Sequence, residues 1–268
     1  MYEILECSLA DLPRLYRYHQ QELYNVRFSL KGFDYPWLLT CRAWKAGEKV
    51  LDVGAAYSPM PHHLQKTFGC EMWAADDFGL ESDESFWERA GSPREYIESH
   101  PEIKFVLERL GNPQKSSLPQ DYFDVIYSLS VLEHIPGAAL PSVWKHMDAL
   151  LKPGGELVHA VDMHFPSNGG LKKILVAMLF DMLYPLLPAR LAASKSQGTP
   201  KAFARLAFRT LGLRPRFGRD LSVLNMVLNP EVLAESYHYG LKRMEKDGIK
   251  NFRYQRLGSL LIHLKKVA

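Results

Sequence analysis

The chain has 268 residues, enough for one large α/β domain or one domain with a lid. With 47% apolar and 24% charged residues it can bury a substantial core, which excludes a disordered tail. A formal net charge of +3 excludes a polycation built to coat nucleic acid.

Three cysteines, Cys7, Cys41 and Cys70, are far apart and lack zinc or redox spacing, which points to a reducing compartment. Residues 1–10 carry Glu3 and Glu6 and no cationic stretch, so no secretory leader is expected. The longest apolar stretch, 174–187, holds Asp181 and Pro185 and is shorter than the roughly 20 apolar residues of a spanning helix. It reads as a buried or interfacial helix, and the chain as cytoplasmic, with peripheral membrane contact left open.

In chain order, residues 9–45 read as helix and loop rich in aromatics, among them Tyr18, Tyr35, Trp37 and Trp44. They form an N-terminal helical cap over residues 1–47. Lys49-Val50-Leu51-Asp52-Val53 is an apolar run ending at Gly54, which suits a buried strand. Residues 59–68 read as a helix, with Ser58 as N-cap and Pro59 in the first turn, where its missing N–H costs little. A second strand at 71–75 ends at Asp76-Asp77. Residues 78–101 read as loop and helix, 103–107 as a third strand and 123–127 as a fourth. A helix at 140–151 stops at Lys152-Pro153-Gly154-Gly155, and 156–161 is a fifth strand. Strands alternating with helices predict a parallel sheet covered on both faces. Residues 166–229 hold no strand pattern and read as a helical, basic insertion. Residues 231–246 read as a helix, and 251–256 and 259–265 as two closing strands.

In an open parallel sheet a nucleotide-like ligand sits at the C-terminal strand ends, where the strand order reverses. The first strand ends in Asp52-Val53-Gly54-Ala55-Ala56, a tight loop of small residues that admits a ligand close to backbone. Asp76 lies about 20 residues further on, the separation expected of an acid that accepts both ribose hydroxyls. By itself this pattern also suits a turn glycine with two surface acids.

The stretch Leu-Pro-Gln-Asp-Tyr-Phe-Asp-Val-Ile-Tyr-Ser-Leu-Ser-Val-Leu-Glu-His-Ile-Pro at 118–136 resembles the fourth-strand region of class I S-adenosylmethionine-dependent methyltransferases. Leu-Leu-Lys-Pro-Gly-Gly-Glu-Leu at 150–157 resembles the turn into their fifth strand. With Val50-Leu-Asp-Val-Gly54 and Trp73-Ala-Ala-Asp76, order and spacing match that family over residues 48–165.

The resemblance implies a three-layer, Rossmann-like α/β fold with a seven-stranded, mostly parallel sheet. The methyltransferase domain would span 48–165 and 230–268, with 166–229 as a lid. The implied cofactor is S-adenosyl-L-methionine, leaving as S-adenosyl-L-homocysteine. Asp52, Gly54 and Ala55 would line its methionine and ribose side, and Asp76 would hold the ribose hydroxyls, with Asp77 as the alternative. Asn112 would lie near adenine, and Ser128 and Leu129 would flank the sulfonium and methionine portion. The chain departs from the family at Ala56 and Ser58, where further glycines are usual.

A bound sulfonium is already activated, so the protein mainly has to align the acceptor and exclude water. An oxygen acceptor also needs a base, for which a histidine or carboxylate is suited. His134 follows the fourth strand, and Asp162 and His164 follow the fifth. His134 reads either as that base or as support for a helix start. The Asp162/His164 pair reads as a base or as two ligands of a metal, with no third ligand identifiable; no metal is assigned. His62-His63 reads as solvent-side or entry-side.

The insertion carries Arg190, Lys195, Lys201, Arg205, Arg209, Arg214, Arg216 and Arg219 before the next acid, Asp220. Beside the apolar 171–187 segment, these cations suit either a solvated lid or contact with an anionic membrane or phosphorylated acceptor. The expected function is O-methylation of a small-molecule, glycan or lipid-linked acceptor. The alternatives are an RNA methyltransferase or a scaffold that keeps the fold without catalysis; nucleic acid is disfavoured because neither an RNA-binding module nor an Asn/Asp-Pro-Pro-Tyr motif is present.

Overall fold

The computed structural model describes residues 2–5, 18, 21–22, 31–78, 92–136, 138–166 and 255–267. The apolar runs form strands β2 (Lys49–Val53), β3 (Glu71–Ala75), β4 (Lys104–Val106), β5 (Phe123–Leu129) and β6 (Leu151–Pro166). The first strand, β1 (Tyr2–Ile4), and the last, β7 (Gln255–Lys266), complete a seven-stranded sheet of order β1-β7-β6-β5-β2-β3-β4. Neighbours from β4 across to β6 are parallel, and β7 is antiparallel to both β6 and β1. The order reverses between β2 and β5, the place where such sheets open a ligand crevice.

Alternation along the strands sends side chains into two cores. On one face Val50, Met72, Val125, Tyr127 and Val158 pack with Trp37 and Leu38 of α1 (Lys31–Thr40) and Leu64 of α2 (Met60–Phe68). On the other, Leu51, Ile126, Leu157 and Ile262 pack with Trp144, Met147 and Leu150 of α4 (Leu140–Leu150). Helix α3 (Pro93–Glu98) buries none of its residues, although Tyr96 is half-buried at its edge. The sheet thus has helices on both faces, as the sequence predicts.

Several boundaries differ from the sequence reading. The two closing strands predicted around Leu257-Gly258 are one strand as far as they are described, because Gly258 stays in register opposite Met163 of β6. The N-terminal segment contributes an edge strand as well as a helix: Tyr2 pairs with Lys266. Its phenol donates to Asp148 Oδ1 at 2.7 Å. Lys152 to Gly155 does end α4, but as an excursion within β6: Leu151 pairs with Phe123 and the next partner of β5 is Glu156. Asp162 and His164 do not follow β6. They lie in it, opposite Ser259 and Leu257 of β7, because antiparallel pairing carries β6 past the end of β5. Helix α2 takes Pro59 as N-cap, while the Ser58 hydroxyl accepts the Met60 N–H at 3.2 Å.

Most of the insertion (167–229), the predicted helix at 231–246, residues 251–254 and the cap aromatics Tyr16, Tyr24 and Phe28 lie outside the described residues.

Candidate active site

The candidate cofactor loop follows β2. Gly54 adopts φ +73°, and a Cβ there would stand 2.5 Å from Val131 Cγ1. Glycine is required on both counts: the left-handed conformation, and the close approach of the segment after β5. Ser130 also has positive φ and donates its N–H to Ala160 O at 2.8 Å, which turns the chain and presents Val131 to the loop. Next to it, Ala55 is buried and Ala56 adopts φ +42°.

Asp76, at the end of β3, faces this loop. Its Oδ2 accepts the Ala56 N–H at 2.9 Å, and its Oδ1 accepts the Phe78 N–H at 2.6 Å. Burial raises the Asp76 carboxyl above its ordinary range; the two amide bonds pull it back, Asp77 raises it and Arg109 lowers it. Asp77 is paired with Arg109 at the protein surface. The two neighbouring acids are therefore differently employed.

Asp52 is buried and stands beside Tyr127 of β5 in the parallel register. Its charge acts on three phenols. Tyr127, fully buried, is raised well above its usual range, first by burial and then by Asp52. Tyr35 is likewise raised, with the Ser58 hydroxyl donating to it in opposition. Tyr96 is pushed up to about 12, by burial and then by Asp52 and Glu102. The Tyr127 hydroxyl lies within reach of the Asp52 field but has no hydrogen-bond partner of good geometry among the described residues. Tyr96 ties the wall to the loop by donating to Ser58 O at 2.8 Å. Its ring meets Tyr57 edge-on at 5.1 Å, and Tyr57 meets Phe78 at 5.3 Å.

The remaining predicted residues divide. Leu129 is buried at the end of β5, just before the Ser130 turn. The Ser128 side chain faces away from the loop into the α4 core, where its hydroxyl bonds His159 Nδ1 at 2.8 Å. Only its backbone is placed at the strand end. Asn112 is exposed in the turn after β4, its carbonyl accepting the Lys115 N–H at 3.1 Å. His134 is exposed at the end of a 3-10 turn (Leu132–His134) that follows the Val131 closure. Asp162 and His164 are placed by strand pairing alone. His62 pairs with Glu102 at 2.6 Å, and His63 lies 3.4 Å from the Tyr18 hydroxyl, so both sit on the outer side of α2.

Sequence reasoning missed the tyrosines Tyr35, Tyr96 and Tyr127 around Asp52; their only signal was an unusual density of aromatics near the strand ends. Among the described residues no group of three or more His, Cys, Asp or Glu could hold a metal ion. No described helix is long and apolar enough to cross a membrane.

The residues present fit S-adenosylmethionine. Gly54 keeps the loop free of a side chain, and both Asp76 oxygens retain a lone pair beyond their amide bonds.

Comparison with known proteins agrees. A family model described as a methyltransferase domain matches residues 36–188, more than half of the chain. No curated protein matches the sequence. A solved structure of Haemonchus contortus phosphoethanolamine N-methyltransferase 2, with phosphomonomethylethanolamine and S-adenosylhomocysteine, is similar at TM-score 0.50 and 15% identity. The similarity covers 96% of this chain but 58% of that one, so the chain spans under two thirds of that relative's length. Geranyl diphosphate C-methyltransferase from Streptomyces coelicolor A3(2) is similar at TM-score 0.47 and 11% identity, over 99% of this chain and 91% of that one. By its sheet order, its loop after β2 and its family model, the chain belongs to the class I S-adenosylmethionine-dependent methyltransferases.

Proposed function

We propose that the protein transfers the methyl group of S-adenosylmethionine to an oxygen of a small-molecule, glycan or lipid-linked acceptor. The observation that carries the cofactor half is the meeting of Gly54, Ala56 and Asp76 where the strand order reverses. When bound, the cofactor supplies an activated methyl on a sulfonium leaving group. The chain's own part is to hold it and to place the acceptor. Asp76 accepts from the ribose, the Gly54 loop closes against Val131, and the acidic wall at Asp52 favours the positive end of the ligand.

The candidates for the base are the Asp162/His164 pair, beyond the end of β5, and His134, which follows β5. Residues 166–229 form the lid in this proposal. The cations between 190 and 219 favour an acceptor that carries phosphate, or one held at an anionic membrane surface.

Calorimetry with S-adenosylmethionine and S-adenosylhomocysteine tests the cofactor half; binding of neither rejects it. Asp76→Ala should weaken binding by roughly 1–3 kcal/mol, the value of a hydrogen bond to a charged group. A labelled-methyl transfer assay against sugar, phosphorylated, lipid-linked and RNA acceptors tests the rest, and transfer to RNA alone would replace the acceptor reading. If His134 is the base, His134→Ala should lower kcat by about 10²–10⁴ with cofactor affinity kept. An unchanged kcat moves the role to Asp162 or His164. Reversing several charges between 190 and 219 should abolish acceptor turnover and spare cofactor binding.

A further inference from the structure

We propose that Asp76 is a positioning residue as well as a ribose acceptor: before cofactor arrives, its carboxylate clips the loop after β2 to the loop after β3. The proposal rests on the cofactor reading above and deepens it.

The loop after β2 has one glycine, Gly54, where left-handed backbone is required twice, at Gly54 (φ +73°) and at Ala56 (φ +42°). A non-glycine residue in that region carries a steric cost from its Cβ. Ala56 is held there by the Asp76 carboxylate, which takes its N–H at 2.9 Å. The other oxygen takes the N–H of Phe78, a second residue with positive φ (+50°), at 2.6 Å. One side chain thus fixes two unfavourable backbone conformations, one in the loop after β2 and one in the loop after β3. Two further bonds of the loop join backbone groups, Gly54 N–H to Ala75 O and Ser58 N–H to Ala55 O, both at 2.8 Å, and the Tyr96 hydroxyl donates to Ser58 O at 2.8 Å.

The lone-pair count shows what this leaves for the ligand. A carboxylate offers about four acceptor sites, and the two amides use one on each oxygen. One site per oxygen remains, so a vicinal diol that donates twice would saturate the group. A ribose with a phosphate on either hydroxyl would face an acid with no donor to offer it. The clip therefore preforms the cleft and selects an unmodified ribose through the same side chain.

Amide hydrogen exchange on the cofactor-free protein tests the clip, with S-adenosylhomocysteine calorimetry alongside. In the wild type the Ala56 and Phe78 amides should be protected. In Asp76→Asn, which has a single acceptor oxygen, at least one of them should exchange roughly tenfold faster or more. The Gly54 and Ser58 amides should keep their rates. Wild-type Ala56 and Phe78 amides that exchange like an open loop would overturn the proposal, whether or not the variant folds. So would an Asp76→Asn protein that loses S-adenosylhomocysteine affinity with both exchange rates unchanged, since the acid would then act on ribose alone. Protected amides together with no binding of S-adenosylhomocysteine would keep the clip and reject the cofactor reading.

Discussion

Gly54 carries two constraints at once, and each can be tested separately. Gly54→Ala puts a methyl into left-handed backbone, a cost of roughly 1–2 kcal/mol, and drives it into Val131. The variant should lose about tenfold or more in S-adenosylhomocysteine affinity and melt at lower temperature, by calorimetry and thermal unfolding. Adding Val131→Ala should recover part of the loss, because it removes the collision and leaves the backbone strain. Wild-type affinity in Gly54→Ala would mean that the segment after β5 does not close on the loop. At this scale the sequence was informative where chemistry and spacing coincide, as at Asp52, Gly54 and Asp76. It was less so for Ser128. In a strand buried on both faces apolar residues run continuously, so no alternation tells which way a given side chain points. Ser128 turns to His159, and its neighbours Tyr127 and Leu129 turn to the α1 and α2 face.

The central elements were legible because β2, β3 and β5 are short apolar runs bounded by turns. The edge was not. A three-residue strand such as β1 is too short to show a period, and Gly258 looks like a break although it holds its pairing. The edge is nevertheless anchored: the Lys266 ammonium donates to Asp148 O at 2.6 Å and Leu151 O at 2.9 Å, at the end of α4. Tyr2→Phe should therefore cost about 1 kcal/mol through the lost bond to Asp148, read by denaturant unfolding. Removing residues 1–5 should cost more and should also promote association, visible by light scattering, because it bares the outer edge of β7. A truncated chain as stable and as monodisperse as the full one would show that β1 does not contribute to the sheet.

For the molecule as a whole, acid sensitivity follows from its buried histidines. His159 is fully buried against Trp144, and burial pushes it down to about 3, with His263 adding repulsion. Burial also lowers His63 and His146. His159 stays neutral when folded and takes up a proton when unfolded near pH 6.5, and the lowered His63 and His146 act in the same direction, so the unfolded state binds more protons as pH falls. Their stability is present above about pH 6.5 and declines below it, with His159 adding a slope of about 1.4 kcal/mol per pH unit. Urea unfolding between pH 7 and 5 should show this, and His159→Gln should flatten it; equal slopes would place His159 in contact with water. The pairing of Tyr2 with Lys266 has a consequence in time as well. During synthesis β1 waits for β7, and β6 meets β7 only once residues 255–266 have been made. The parallel strands β2 to β6 can assemble during elongation, but both edges of β7 are joined last, by contacts of the highest sequence separation. A ribosome-bound chain stopped before residue 255 would thus present β6 as a bare strand edge, and chaperone capture of this protein should concentrate at that stage.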